Sequence, residues 1–173
     1  ITTTGAFTLT ASQTTTGTVT QSGTITIEGS TSITNTGGDV TLTRATNNFG
    51  SDGTGPVAIT GANVSITDAN LIDLGASTVS GTYAVTAVTG NIIDSGDLTI
   101  TRLATLTTSA SNATITLDQT GSTFAAGVSL NTTGSSGNAT VDTGTNALDI
   151  AASTIGGNLA LTAGNHITDS GVV

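Results

Sequence analysis

Residues 73–87 read Asp73-Leu-Gly-Ala-Ser-Thr-Val-Ser-Gly-Thr-Tyr-Ala-Val-Thr-Ala87, and residues 149–163 read Asp149-Ile-Ala-Ala-Ser-Thr-Ile-Gly-Gly-Asn-Leu-Ala-Leu-Thr-Ala163, an offset of 76. A truncated third copy, Gly5-Ala-Phe-Thr-Leu-Thr-Ala11, matches Gly81 to Ala87 at the same offset. A Ser-Gly marker follows each copy, in Val19-Thr-Gln-Ser-Gly23, Ile92-Ile-Asp-Ser-Gly96 and Ile167-Thr-Asp-Ser-Gly171. Val40-Thr-Leu42 returns as Ile115-Thr-Leu117, and Phe49 as Phe124. The chain thus divides into a partial unit over 1–23 and two nearly full units over 24–96 and 97–171, read as one continuous segment. Length differences fall in Gly50 to Gly55 and Thr133 to Gly137, where loops leaving a regular scaffold would place them.

Within each unit aliphatics stand two apart, as in Ile25-Thr-Ile27, Val57-Ala-Ile59, Val64-Ser-Ile66 and Tyr83-Ala-Val85. That is the period of a strand with one buried face. Composition agrees: 42 of the 173 residues are Thr, 23 are Gly, and the chain has one Glu and no Lys or Met. Branching at Cβ favours extended backbone, and glycine supplies corners. No ten-residue stretch shows helical apolar spacing. An all-β chain with three Phe and one Tyr needs a narrow interior of small aliphatics. Indefinite repetition favours a parallel β-helix over a sandwich, which would have to close a core in each unit. With 19 to 25 residues per coil, roughly three or four coils fill a unit and seven to nine the chain, a rod of roughly 35–45 Å.

The same spacing explains why only 8% of residues are charged. Equivalent side chains on stacked coils sit one strand spacing apart, so like charges would repel along a ladder, whereas Thr, Ser and Asn can hydrogen-bond along it. A formal charge of −9 with only Arg44 and Arg102 as cations cannot neutralise phosphates, which excludes nucleic acid as a partner class. No apolar run reaches the ~20 residues of a membrane span, and no cysteine provides a disulfide or thiolate site. A chain that begins at Ile1 and lacks Met reads as a piece of something longer.

Residues Ala76 to Ala87, Gly90-Asn-Ile-Ile-Asp-Ser-Gly96 and Ala151 to Ala163 resemble the repeats of giant filamentous-haemagglutinin-type bacterial surface adhesins. The resemblance implies a right-handed parallel β-helix acting as the shaft of a secreted or surface-anchored adhesin or extracellular filament. Its partners would be flanking repeats or end-to-end copies of itself, with host or surface glycans met through other regions.

No catalytic, cofactor or metal site is expected. His166 is the sole histidine, and the other copies of the marker beside Asp169 and Ser170 lack it, which argues against a triad. The carboxylates Asp39, Asp52, Asp68, Asp73, Asp94, Asp97 and Asp149 read as turn residues accepting backbone N–H bonds rather than as a glycosidase pair. Asn91, Asp94, Ser95 and Asp97 form the best calcium candidate, without an established loop pattern. Phe7, Tyr83 and Leu159 share a repeat position and read, with Phe49 and Phe124, as interior plugs. The sequons at Asn63, Asn112, Asn131 and Asn138 are expected by chance. The rival role is ice or polysaccharide binding, the ice reading resting on Thr24-Ile-Thr26, Thr41-Leu-Thr43, Thr99-Ile-Thr101 and Thr114-Ile-Thr116. An ice face needs such pairs on every coil of one face.

Overall fold

The computed structural model describes residues 1–11, 17–50 and 53–173. Among them lie 22 short strands and no α-helix. The strands follow one another in groups of three per coil. Coils 1 to 3 carry β1 (Thr2–Thr3), β2 (Phe7–Thr10) and β3 (Val19–Thr20), then β4 (Thr26–Ile27), β5 (Thr31–Thr34) and β6 (Val40–Leu42), then β7 (Asn48–Phe49), β8 (Val57–Gly61) and β9 (Val64–Asp68). Coils 4 to 6 carry β10 (Ile72–Leu74), β11 (Ser77–Val79) and β12 (Tyr83–Ala87), then β13 (Ile92–Asp94), β14 (Leu98–Ile100) and β15 (Ala104–Ser111), then β16 (Ile115–Leu117), β17 (Thr123–Phe124) and β18 (Val128–Thr133). Coil 7 holds β19 (Ala139–Asp142) and β20 (Leu148–Ile150), and coil 8 holds β21 (Leu159–Thr162) and β22 (Ile167–Asp169).

All the pairings are parallel, and each joins a strand to one in the next coil. The chain is a parallel β-solenoid of about seven turns, in the range its sequence implies. The third-position strands β3-β6-β9-β12-β15-β18 continue through β20 and β22 as one uninterrupted sheet of eight. Its successive rungs are Val19, Val40, Val64, Tyr83, Ala104, Val128, Ile150 and Asp169, so coil length changes from one rung to the next. Strand β8 pairs onward with both β10 (Val57 with Leu74) and β11 (Thr60 with Thr78), which merges the first and second positions into one sheet from coil 4.

The alternation read in the sequence is the alternation of burial. Val64, Ile66, Tyr83, Val85, Ala104 and Leu106 are at most 1% exposed, while the residues between them face outward. Volume is balanced along the stack: Tyr83, fully buried, lies in register with Val64 on one side and the small Ala104 on the other. Phe49 and Phe124 are buried, and Phe7 and Leu159 are half-buried against the same core, so the plug reading holds for all five side chains. The copies do not share surroundings, however: Tyr83 sits on the third position and Leu159 on the first.

Corners set the remaining requirement. Gly5, Gly29 and Gly55 stack on coils 1 to 3, where a Cβ on Gly29 would stand 2.7 Å from the Gly5 carbonyl carbon and one on Gly55 2.2 Å from the Gly29 oxygen. Backbone approaches backbone there, and only glycine fits. At another corner Asn47, fully buried, ties three coils together. Its Nδ2 donates to Gln21 Oε1 (2.9 Å), Leu42 O (3.1 Å) and Thr67 O (3.3 Å), while its Oδ1 accepts from Ile25 N (3.1 Å) and Gln21 Nε2 (2.7 Å).

Two substitutions test this packing. Tyr83→Ala is expected to destabilise by about 3–5 kcal/mol and Tyr83→Phe by less than about 1 kcal/mol, read from denaturant midpoints. Asn47→Ala, which strands several buried backbone groups at once, is expected to cost about 3 kcal/mol by the same assay.

Candidate functional surface

The sequence offers three kinds of site: carboxylates, the lone histidine and the threonine rows. The carboxylates are mostly spent on corner amides, as expected of turn aspartates. Asp39 Oδ1 accepts Asn63 N (3.0 Å), Asp68 Oδ2 accepts Phe49 N (2.7 Å), Asp97 Oδ1 accepts Gly121 N (3.2 Å) and Asp169 Oδ1 accepts Gly171 N (2.9 Å). Asp149 accepts the hydroxyls of Thr168 (2.9 Å) and Ser170 (2.6 Å). Asp52 lies outside the described residues.

The calcium candidate does not converge. Asn91 Oδ1 takes Thr114 N (2.8 Å), Asp94 Oδ1 takes Asp118 N (2.8 Å) and the Ser95 hydroxyl donates to Asp73 Oδ2 (2.9 Å). Among the described residues no group of three or more His, Cys, Asp or Glu is placed to hold a metal ion. Nor do Ser170, His166 and Asp169 meet: the exposed His166 ring contacts Asn165 Oδ1 through Nδ1 (3.0 Å), and the Ser170 hydroxyl goes to Asp149. His166 instead lines a cleft of about 450 Å³ with Phe124, Asn146, Leu148, Asp149 and Thr168. That cleft is invisible in sequence because its walls come from three coils.

Asp94 is the exception among the carboxylates. It follows Ile92 on the inward side of β13, in register with Leu74, and Ile93 pairs with Thr116, so Leu117 takes the next rung. It is 7% exposed and Asp73 is 6% exposed; Asp94 Oδ2 and Asp73 Oδ1 have no hydrogen-bond partner. Burial foremost, and then the Asp118 and Asp73 charges, raise the Asp94 carboxyl to about 6 against the lowering effect of the Asp118 and Gln119 amides. Burial also raises Asp73, opposed by Ser95.

The outward faces carry hydroxyls in register. On the second position Thr10, Thr34, Thr60, Thr78, Thr99 and Thr123 form a single file over six successive coils. On the third position two hydroxyl-rich files run side by side, Thr41-Ser65-Ala84-Thr105-Ser129, broken at Ala84 and ending on the buried Ser129, and Thr67-Thr86-Thr107-Asn131-Thr154, with an amide at Asn131. The four Thr-x-Thr pairs singled out in the sequence fall on all three positions rather than on one face. The files could not be seen from those pairs, because coils of unequal length hide the register.

Comparison with known proteins adds one finding. A repeat-family model, DUF5649, described as repeats of unknown function, matches residues 1–55, 61–131 and 136–173. The chain belongs to the DUF5649 repeat family. The second and third DUF5649 matches begin at positions 61 and 136, a step that agrees with the repeat found within the chain itself. No curated protein and no solved structure matches.

The buried acid generates a pH prediction. Because its folded-state value lies above the ordinary 3.8, the Asp94 contribution is full below that value and is lost as pH rises through about 6. Raising the pH from about 5 to about 7.5 is expected to lower stability by roughly 1–2 kcal/mol through this group. Asp94→Asn removes that part of the loss, measured as the difference between variant and wild-type melting curves at the two pH values.

Proposed function

We propose that this chain is a non-catalytic shaft segment of a secreted or cell-surface bacterial adhesin or extracellular filament, holding binding regions carried elsewhere away from the surface. The observation that carries the reading is the uninterrupted ladder of eight parallel strands. Repeating coils add length at constant cross-section, and each coil needs only its neighbours to complete its hydrogen bonds. Repeated DUF5649 matches along the chain agree with an array built to extend. The exterior suits a spacer: hydroxyl files, few charges, and carboxylates engaged with corner amides. Flanking repeats or end-to-end copies are the partners this geometry accommodates, because a parallel edge strand on one end coil is complementary to the edge on the other.

The two hydroxyl-rich files on the third position favour a second reading, an ordered array that holds water or a regular polysaccharide. One set of assays on the folded chain separates the two. The shaft reading expects a stiff rod of about 40 Å by small-angle scattering, no retention on polysaccharide columns and no inhibition of ice recrystallisation. Polysaccharide cleavage or glycan retention by this segment alone would overturn it. Ice inhibition that is lost in Thr86→Tyr would establish the second reading instead.

A further inference from the structure

The sequence repeat is out of step with the coil. Phe7 occupies the second position of coil 1, its copy Tyr83 the third position of coil 4, and the next copy Leu159 the first position of coil 8. Four other equivalences move the same way. Phe49, on the first position, becomes Phe124 on the second. Val40 and Val19, on the third, become Ile115 and Ile92 on the first of a later coil. Thr78, in the second-position file, becomes Thr154, bridged to Asn131 in the third-position file. Each of these pairs advances three coils and one position. The junctions between sheets shift with them: Leu74 lies over Val57 at the start of β8, on the second position, and its copy Ile150 lies over Val128 at the start of β18, on the third.

We infer that the repeat spans three and one-third turns: successive copies present the same outward residues on successive faces of the rod, and the pattern returns to its starting face only after three copies and ten coils. The physical reason is that all three positions demand the same thing, aliphatics inward and hydroxyls outward at strand period, so one sequence can serve each in turn. A surface feature borne by the repeat is therefore distributed round the circumference. A partner that engages the same feature in consecutive copies must follow a winding track, and adding copies lengthens the rod without enlarging a flat site on one face. The six-threonine file obeys the same shift: Thr10, Thr34, Thr60 and Thr78 have Thr86, Thr107, Asn131 and Thr154 as their equivalents in the following copy, consecutive rungs of a third-position file. The inference does not depend on the shaft reading, because it concerns only register.

The absence of cysteine makes the test direct. Outward residues on adjacent rungs lie one strand spacing apart, within disulfide reach, whereas residues on different faces do not. Oxidation of the full chain carrying Asn131→Cys with Thr154→Cys, and separately Thr78→Cys with Thr99→Cys, is expected to close an intramolecular bond in each, read as a gel-mobility shift reversed by reductant. Thr123→Cys with Thr154→Cys is expected to stay reduced. Closure of the 123–154 pair would put Thr154 on the same face as its equivalent Thr78 and overturn the inference, as would failure of either of the first two pairs to close. Circular dichroism of the reduced variants establishes that each is folded before oxidation.

Discussion

Everything in this molecule depends on parallel register between coils. A backbone N–H of one coil finds its acceptor in the next, as when Val64 N meets Thr82 O (2.8 Å) and Tyr83 N meets Leu103 O (3.1 Å). The same register places aliphatic over aliphatic inside and hydroxyl over hydroxyl outside. A slip of one residue would turn Val85 outward and Thr86 into the core, so the hydrophobic pattern and the hydrogen-bond ladder enforce each other. No disulfide assists, and the long-range pairings are all between neighbouring coils, so cohesion is local along the axis even though it is non-local along the chain.

Corners decide where coils can differ in length. Strand residues are nearly interchangeable among Val, Ile and Leu, but each corner solves its own geometry, with a glycine stack at Gly5, Gly29 and Gly55, a bolt at Asn47 and carboxylate caps at Asp39, Asp68 and Asp97. Burying Asn47 and Asp68 costs little because each is satisfied by groups on neighbouring coils. Asp94 departs from the pattern: one oxygen caps the Asp118 amide while the other lies buried without a partner beside a second carboxylate. Such a group stores a pH sensitivity that a leucine at the same rung would not.

The fold was legible because its two signals are local. Period-two alternation identifies a strand from three residues such as Val64-Ser-Ile66, and the recurrence of Asp73 to Ala87 at Asp149 to Ala163 argues for stacking. Turn roles for aspartate were legible in part: Asp68 and Asp169 accept amides two residues on, at Asn70 and Gly171, whereas the amides that Asp39 and Asp97 accept, Asn63 and Gly121, lie a full coil away. What stayed hidden depends on register between coils of unequal length. The even spacing of the copies invites the assumption that equivalent residues share a face, and the third-turn shift between Tyr83 and Leu159 shows that they do not. The inward placement of Asp94, the cleft between Phe124 and His166, and the continuous hydroxyl files belong to the same class, because each is assembled by neighbours a full coil away.

The parallel stack requires Val85 to be flanked by Ile66 on one side and Leu106 on the other. Nuclear Overhauser spectroscopy on the isotopically labelled chain reads this directly. Cross-strand contacts of parallel type from Val85 to both Ile66 and Leu106, continued from Tyr83 to Val64 and Ala104, are the predicted result. Antiparallel contacts linking Val85 to the near-sequence segment Ser77–Val79, as a hairpin would give, contradict it.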